Sequence, residues 1–209
     1  MSGLHVVIPV KPLCEGKSRL SDALSFAQRV ALNRQLLLDT LAHVQRFPKV
    51  FRVTVVSRSF AVLALARGQG LDVLQEPAPF GLNVALRAAT RAARRDAAQA
   101  LLVLPVDLPL GDGNALRRVV DTAPAAPVCL LAADHHGRGT NLLFQSPVLL
   151  EDYAFGPDSL LRHQALAARC GLRPVVLRDS EFAFDIDEPA DYRRWSSAPA
   201  AVARAVRSR

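Results

Sequence analysis

Apolar residues along this chain fall into two alternating patterns: short unbroken runs, and longer stretches in which they recur at helical spacing. Residues 6–10 form the first short run and predict a buried strand. Ser25 and Gln28 make a capping-box pattern ahead of a helix to about Arg46, with Phe26, Val30, Leu37, Leu41 and Val44 expected in the core. Residues 53–57 predict a second strand, 60–67 a helix, and 71–74 a third strand ending in Glu76 and Pro77. Gly81, Leu82 and Asn83 open an Ala-rich helix to about Ala98, with Asn83 as its N-cap.

Residues 101–104 form the most central strand by composition, and Pro105 and Pro109 prevent its ladder from continuing. A helix from about Asn114, a strand at 128–131 and a glycine-rich loop at 137–140 come next. The segment 141–145 receives no assignment. It is followed by a helix near 159–170, strands at 175–177 and 182–187, and a short helix near Pro189. Strands alternating with helices predict a three-layer α/β/α single domain built on a mostly parallel mixed sheet. That domain is expected over residues 1–197, with a basic tail at 198–209.

At 209 residues, half of them hydrophobic, the chain can bury a sizeable core in one domain. No apolar run approaches the roughly 20 residues of a membrane span, and the start lacks a signal-peptide pattern, so a soluble cytoplasmic protein without a membrane partner is expected. Cys14, Cys129 and Cys170 are odd in number and have no CxxC spacing, which argues against both a disulfide framework and a zinc site. Cys129 and Cys170 are expected in the core.

A net charge of +7 favours anionic ligands. Arg87, Arg91, Arg94 and Arg95 share much of one helical face, while Arg204, Arg207 and Arg209 belong to the tail. Aromatic residues are too few for a stacking platform, so no nucleic-acid partner is expected, although a basic RNA-binding module remains the rival from another class.

The charge is concentrated informatively after the first strand. In VVIPVKPLCEGKSR, residues 6–19, an apolar strand runs into a loop carrying Lys11, Gly16, Lys17 and Arg19, a device for holding phosphate. Gly16, Lys17 and Ser18 resemble the end of a P-loop. The earlier glycine of that motif is replaced by Lys11, however, and Pro9 and Pro12 remove the backbone freedom it requires.

Asp107 at one strand end, and Asp185 with Asp187 at another, supply the opposite charge. Strand residues i and i+2 face one side, so the latter pair should point together. Carboxylates converging in a basic cleft suit Mg²⁺, which prefers oxygen ligands and bridges substrate phosphates. A second anion site is suggested by Gly137, Gly139 and Thr140, whose backbone N–H groups could face a ligand, and by the helix opening at Gly156 to Ser159.

Through IPVKPLCEGKSRLS, GLNVAL, LPVDLPL, GRGTNLLF, FGPDSLLRH and FDIDEPADY, in that order, the chain resembles the guanylyltransferases of coenzyme F420 biosynthesis. These use 2-phospho-L-lactate, phosphoenolpyruvate or 3-phospho-D-glycerate. The resemblance implies the nucleotidyltransferase fold shared with A-type glycosyltransferases, Mg²⁺ on Asp107, Asp185 and Asp187, and the triphosphate of GTP at Lys17 and Arg19 beside Lys11. It further implies base contacts at Glu76 and Asn83, the acceptor acid at Thr140, Gly156 and Ser159, and a homodimer. His163 matches the same blocks. Asn141 stands where some phosphoenolpyruvate-using relatives carry Ala, which favours phospholactate or phosphoglycerate. Molybdopterin and sugar-phosphate nucleotidyltransferases of the same fold usually open with a GG loop that is missing here.

Overall fold

The computed structural model describes residues 3–47, 50–109, 115–123, 125–178 and 182–197. In chain order the elements are β1 (Leu4–Pro9), α1 (Phe26–Arg46), β2 (Val50–Ser57), α2 (Phe60–Gly68), β3 (Asp72–Gln75), α3 (Leu82–Arg95) and β4 (Ala100–Val103). They continue with α4 (Ala115–Thr122), β5 (Val128–Ala133), β6 (Thr140–Ser146), α5 (Ser159–Arg169), β7 (Arg173–Leu177) and α6 (Pro189–Ser197).

Among the described residues seven strands form one sheet in the order β3-β2-β1-β4-β6-β5-β7. β6 runs antiparallel to both β4 and β5, and every other pairing is parallel. β4 and β5 are apolar throughout, as helices covering both faces require. Leu4, Val6 and Ile8 of β1 point into a core with α1, α2 and α4, whereas Val7 points into the other core with α3 and α5. Small residues on one side of α3, Ala85, Ala89 and Ala93, let that helix lie close against the sheet.

β1 is central to the site. Its neighbours are β2 on one side and β4 on the other: the chain runs outward through β2 to β3 and then crosses to β4, and this reversal of strand order opens a crevice at the carboxyl ends of β1 and β4.

Ser25 caps α1 with a complete capping box: its hydroxyl accepts from Gln28 N–H and the Gln28 side chain accepts from Ser25 N–H. The apolar face of α1 is displaced from the one expected. Phe26 is 58% exposed and Val30 only half-buried, while Leu32, Leu36, Leu37, Leu41 and Val44 are buried. The first residue of α1 to be buried is Leu32, which packs with Leu20, Leu24, Leu36 and Ile186.

Other expectations also require correction. The segment 141–145, left unassigned, lies within the strand β6, which also takes in Thr140 from the expected loop and is buried between β4 and β5. Residues 182–187 are not a strand; Ile186 N–H donates to Asp107 O at 3.2 Å, but no ladder forms. α3 is capped at Gly81, so Asn83 lies inside the helix, which ends at Arg95. Cys129 is buried and Cys170 only partly so. The expected helix start at Asn114 and the tail at 198–209 lie outside the described residues.

Candidate active site

The loop leaving β1 is held from beneath by α1. Asn33 Nδ2 donates to Leu13 O at 2.7 Å, and a Cβ on Gly16 would sit 2.6 Å from that same nitrogen, so only glycine fits there beside an undisturbed Asn33. Lys17 follows with φ 58°, in the left-handed region. That conformation costs about 1–2 kcal/mol for a residue with a Cβ. It directs the side chain inward, where only 6% of it is exposed and Nζ lies 3.1 Å from Asp187 Oδ1 and 3.9 Å from Asp107 Oδ2. Arg19, in a 3₁₀ turn, is largely exposed and reaches Asp187 Oδ2 at 4.0 Å.

Asp107 occupies the turn after β4, at the carboxyl edge predicted for it. The Asp185–Asp187 segment is positioned by packing. Ile186 between them is fully buried with Leu20, Leu24, Leu32 and Leu36, and Phe184 and Tyr192 flank that cluster. Asn141 Nδ2 donates to Phe182 O at 2.9 Å and to Ala183 O at 3.3 Å, tying the segment to β6. Asp191 Oδ2 accepts from Asp187 N–H and Glu188 N–H, fixing the entry to α6.

The three carboxylates share one field. Burial first, then the charges of Asp187 and Asp107, push the Asp185 carboxyl up to about 6. Such mutual repulsion, relieved in part by Lys17, is the environment that a divalent cation neutralises, and the all-oxygen donor set suits Mg²⁺. Among the described residues no three His, Cys, Asp or Glu side chains are already gathered at metal-binding spacing. The oxygen donors are of the type Mg²⁺ takes, but they are not drawn together at ligand spacing, and Lys17 Nζ stands between Asp107 and Asp187.

A cavity of about 440 Å³ opens beside these groups, lined by Lys11, Gly16, Lys17, Glu76, Asp107 and Asp187 among others. Glu76 Oε1 accepts from Gly81 N–H at 2.6 Å, which secures the start of α3 at the cavity wall. Arg58, at the end of β2, also lines it; it pairs with Glu15 of the loop and lies 5.4 Å from the centroid of the Phe80 ring. Asn83 does not line this cavity. Its Nδ2 donates to Phe155 O at 3.1 Å and its Oδ1 accepts from Phe155 N–H at 2.9 Å.

That pair is one rung of a longer contact. Along one side of α3, Asn83, Arg87, Thr90 and Arg94 meet Phe155, Asp152, Tyr153 and Glu151. Arg87 Nε lies 3.1 Å from Asp152 Oδ1 as an ion pair outside hydrogen-bond geometry, and Thr90 Oγ1 lies 2.6 Å from Tyr153 Oη. Arg87 and Arg94 are thus paired with carboxylates, which lowers the charge of the arginine-rich face of α3.

The segment 151–155 leads to the second predicted anion site. Thr140 and Ser159 are buried against each other: Thr140 N–H donates to Ser159 Oγ at 2.9 Å. Gly137 N–H donates to Asp134 O at 3.0 Å, so these two backbone donors are internally satisfied rather than turned to a ligand. Gly156, at φ 123°, begins the turn into α5. None of Thr140, Gly156 and Ser159 lines the 440 Å³ cavity. The predicted site therefore has two separate corners, bridged by α3 with segment 151–155 on one side. On the other, His135 Nδ1 lies 3.7 Å from Asp185 Oδ1.

Asn33, Arg58 and the tie from Asn141 to Phe182 were missed from sequence. Only Asn33 carried a local signal, as a polar residue on the apolar face of a helix.

A mostly parallel sheet with one reversed strand, and an acid-and-lysine crevice at the ends of β1 and β4, define the nucleotidyltransferase fold. A nucleotidyl transferase from Methanothermobacter superposes with TM-score 0.64 at 18% identity, covering 93% of this chain and 96% of that one. Residues 4–194 match the family model described as guanylyl transferase CofC like, and the chain belongs to that family. A protein of Rubrobacter xylanophilus named phosphoenolpyruvate guanylyltransferase is 36% identical over 91% of this chain and 92% of its own. One of the same name from Nocardia farcinica is 37% identical over 93% and 88%.

Proposed function

We propose that this guanylyltransferase moves GMP from GTP to the phosphate of a three-carbon acid, releasing pyrophosphate, as a step in coenzyme F420 biosynthesis. The observation that carries the reading is Lys17, held in the left-handed region with its Nζ against Asp187 and Asp107 at the wall of the cavity. A cation and acidic groups meeting at the crevice between β1 and β4 suit a triphosphate with its accompanying metal.

Phosphoenolpyruvate is the leading acceptor, supported by the names of the curated relatives. Asn141 does not oppose it, because its amide is spent on Phe182 and Ala183 carbonyls instead of facing an acceptor. 3-Phospho-D-glycerate and 2-phospho-L-lactate are the next candidates.

In this mechanism an acceptor phosphate oxygen attacks the α-phosphorus in line. A phosphate monoester has its second pKa near about 6, so it is anionic at neutral pH and needs no general base. The barrier is one of charge and position. Lys17 and Arg19 stabilise the departing pyrophosphate, Lys11 extends the same cationic edge, and Glu76 holds the start of α3 beside the nucleotide. Thr140, Gly156 and Ser159 bind the acceptor. Mg²⁺ held by Asp107, Asp185 and Asp187 would, when bound, neutralise charge on the α-phosphate.

The test incubates the protein with each nucleoside triphosphate, Mg²⁺ and each of the three acids, assaying pyrophosphate and product mass. The expected result is a guanylylated acid from GTP and phosphoenolpyruvate. Pyrophosphate release without an acceptor adduct, or a nucleoside diphosphate product, would reject it.

A further inference from the structure

His163 lies on α5 with no exposed surface, and each ring nitrogen makes a hydrogen bond. Nε2 lies 3.0 Å from the backbone nitrogen of Ala154. That N–H can only donate, so Nε2 is the bare acceptor and the ring proton resides on Nδ1. Nδ1 lies 3.0 Å from Thr140 Oγ1, and so donates to it.

Thr140 accepts from the imidazole and keeps a hydroxyl proton to give elsewhere. Ser159, whose Oγ accepts from Thr140 N–H, is left in the same condition. Among the described residues no hydrogen bond takes either hydroxyl proton. Two buried hydroxyls at one corner are thereby turned into donors, as an anion requires. The ring is held edge-on by Phe155, centroids 4.6 Å apart at 68°, which leaves little freedom to flip.

We propose that His163 is a positioning residue for guanylyl transfer, its Nδ1–H orienting the Thr140 hydroxyl as a donor to the acceptor acid. This role rests on the assignment of Thr140 and Ser159 to that acid under Proposed function. Burial, with a smaller effect of the Arg162 charge, lowers the His163 pKa to about 4, which keeps the ring in the neutral form that the tautomer argument uses.

The test compares His163→Asn and His163→Gln. Asn places an amide donor near the Nδ1 position, whereas Gln places an acceptor near Nε2 and loses the donor to Thr140. With wild-type activity established, Gln should raise the acceptor KM about tenfold while Asn stays near wild type, and the KM for GTP should move in neither. A merely structural histidine would make both variants alike on both substrates, and that result overturns the role. An inactive wild type with every acid would instead reject the function itself, and this role with it. Independently of turnover and folding of the variants, ¹⁵N NMR of the wild-type ring should give the Nδ1–H tautomer at pH 7. The Nε2–H form, or an imidazolium, would overturn the geometry.

Discussion

Lys17 Nζ lies 3.1 Å from Asp187 Oδ1, an ion pair between residues 170 positions apart, and the lysine reaches it from a left-handed backbone. Strain and charge pairing here favour opposite substitutions. Lys17→Ala should weaken GTP binding on the order of tenfold or more, since it removes a cation from the proposed phosphate site. Lys17→Gly should be equally inactive yet about 1 kcal/mol more stable than Lys17→Ala, because glycine adopts positive φ without cost. Nucleotide titration and denaturant melts of the pair measure both effects; equal stabilities would contradict the strain.

Asp107→Asn preserves size and removes one charge from the cluster with Asp185 and Asp187. Turnover should fall about 100-fold or more, consistent with losing several kcal/mol of charge stabilisation, while the fold persists. Pyrophosphate release measured across a Mg²⁺ titration is the check. Full activity with unchanged Mg²⁺ dependence would exclude Asp107 as a metal ligand.

Asn83→Ala leaves the Phe155 N–H and C=O without their partner, which should cost about 1–3 kcal/mol of stability. The preference for GTP over ATP should be unchanged, and the acceptor KM should rise, because segment 151–155 leads to Gly156 and Ser159. Loss of base preference with an unaltered acceptor KM would return Asn83 to the base-reading role implied by family resemblance.

His163 and Asp185 should tilt stability against pH in opposite senses. Between pH 6.5 and about 4 the unfolded chain protonates the imidazole and the folded chain does not, so stability falls as pH drops. Between 3.8 and about 6 the folded chain keeps the Asp185 proton that the unfolded chain releases, so stability falls as pH rises. His163→Gln should flatten the first slope and Asp185→Asn the second, each on the order of 2 kcal/mol over its window. Metal-free denaturation series from pH 4 to 7 would show it.

Gly16→Ala should displace Asn33 and release its bond to Leu13 O. A loss of about 1–2 kcal/mol and weaker GTP binding are expected. Unchanged binding would show that the loop does not depend on that contact.

Much of the scaffold was readable because its signals are local. The Ser25 and Gln28 box, the unbroken apolar runs of β1, β4 and β5, and the prolines after β4 each act within a few residues. β6 was missed because Asn141 and Gln145 cut its apolar run to three residues, and its burial comes from β4 and β5 on either side. Residues 182–187 misled for the converse reason: FAFDID alternates like a strand, but packing of Ile186 and side-chain tethers from Asn141 position it without a ladder.

By itself the sequence determined the α/β class, the crevice at the end of the first strand and the residue types in it, since periodicity and strand-end chemistry follow from local order. Tertiary structure alone decided that Asn83 braces Phe155, that Arg87 and Arg94 are paired, and that Thr140, Ser159 and His163 form a corner apart from the cavity beside Lys17. Those outcomes depend on which side chains meet across tens of residues, and a polar group's role is set by the partner that occupies its hydrogen bonds.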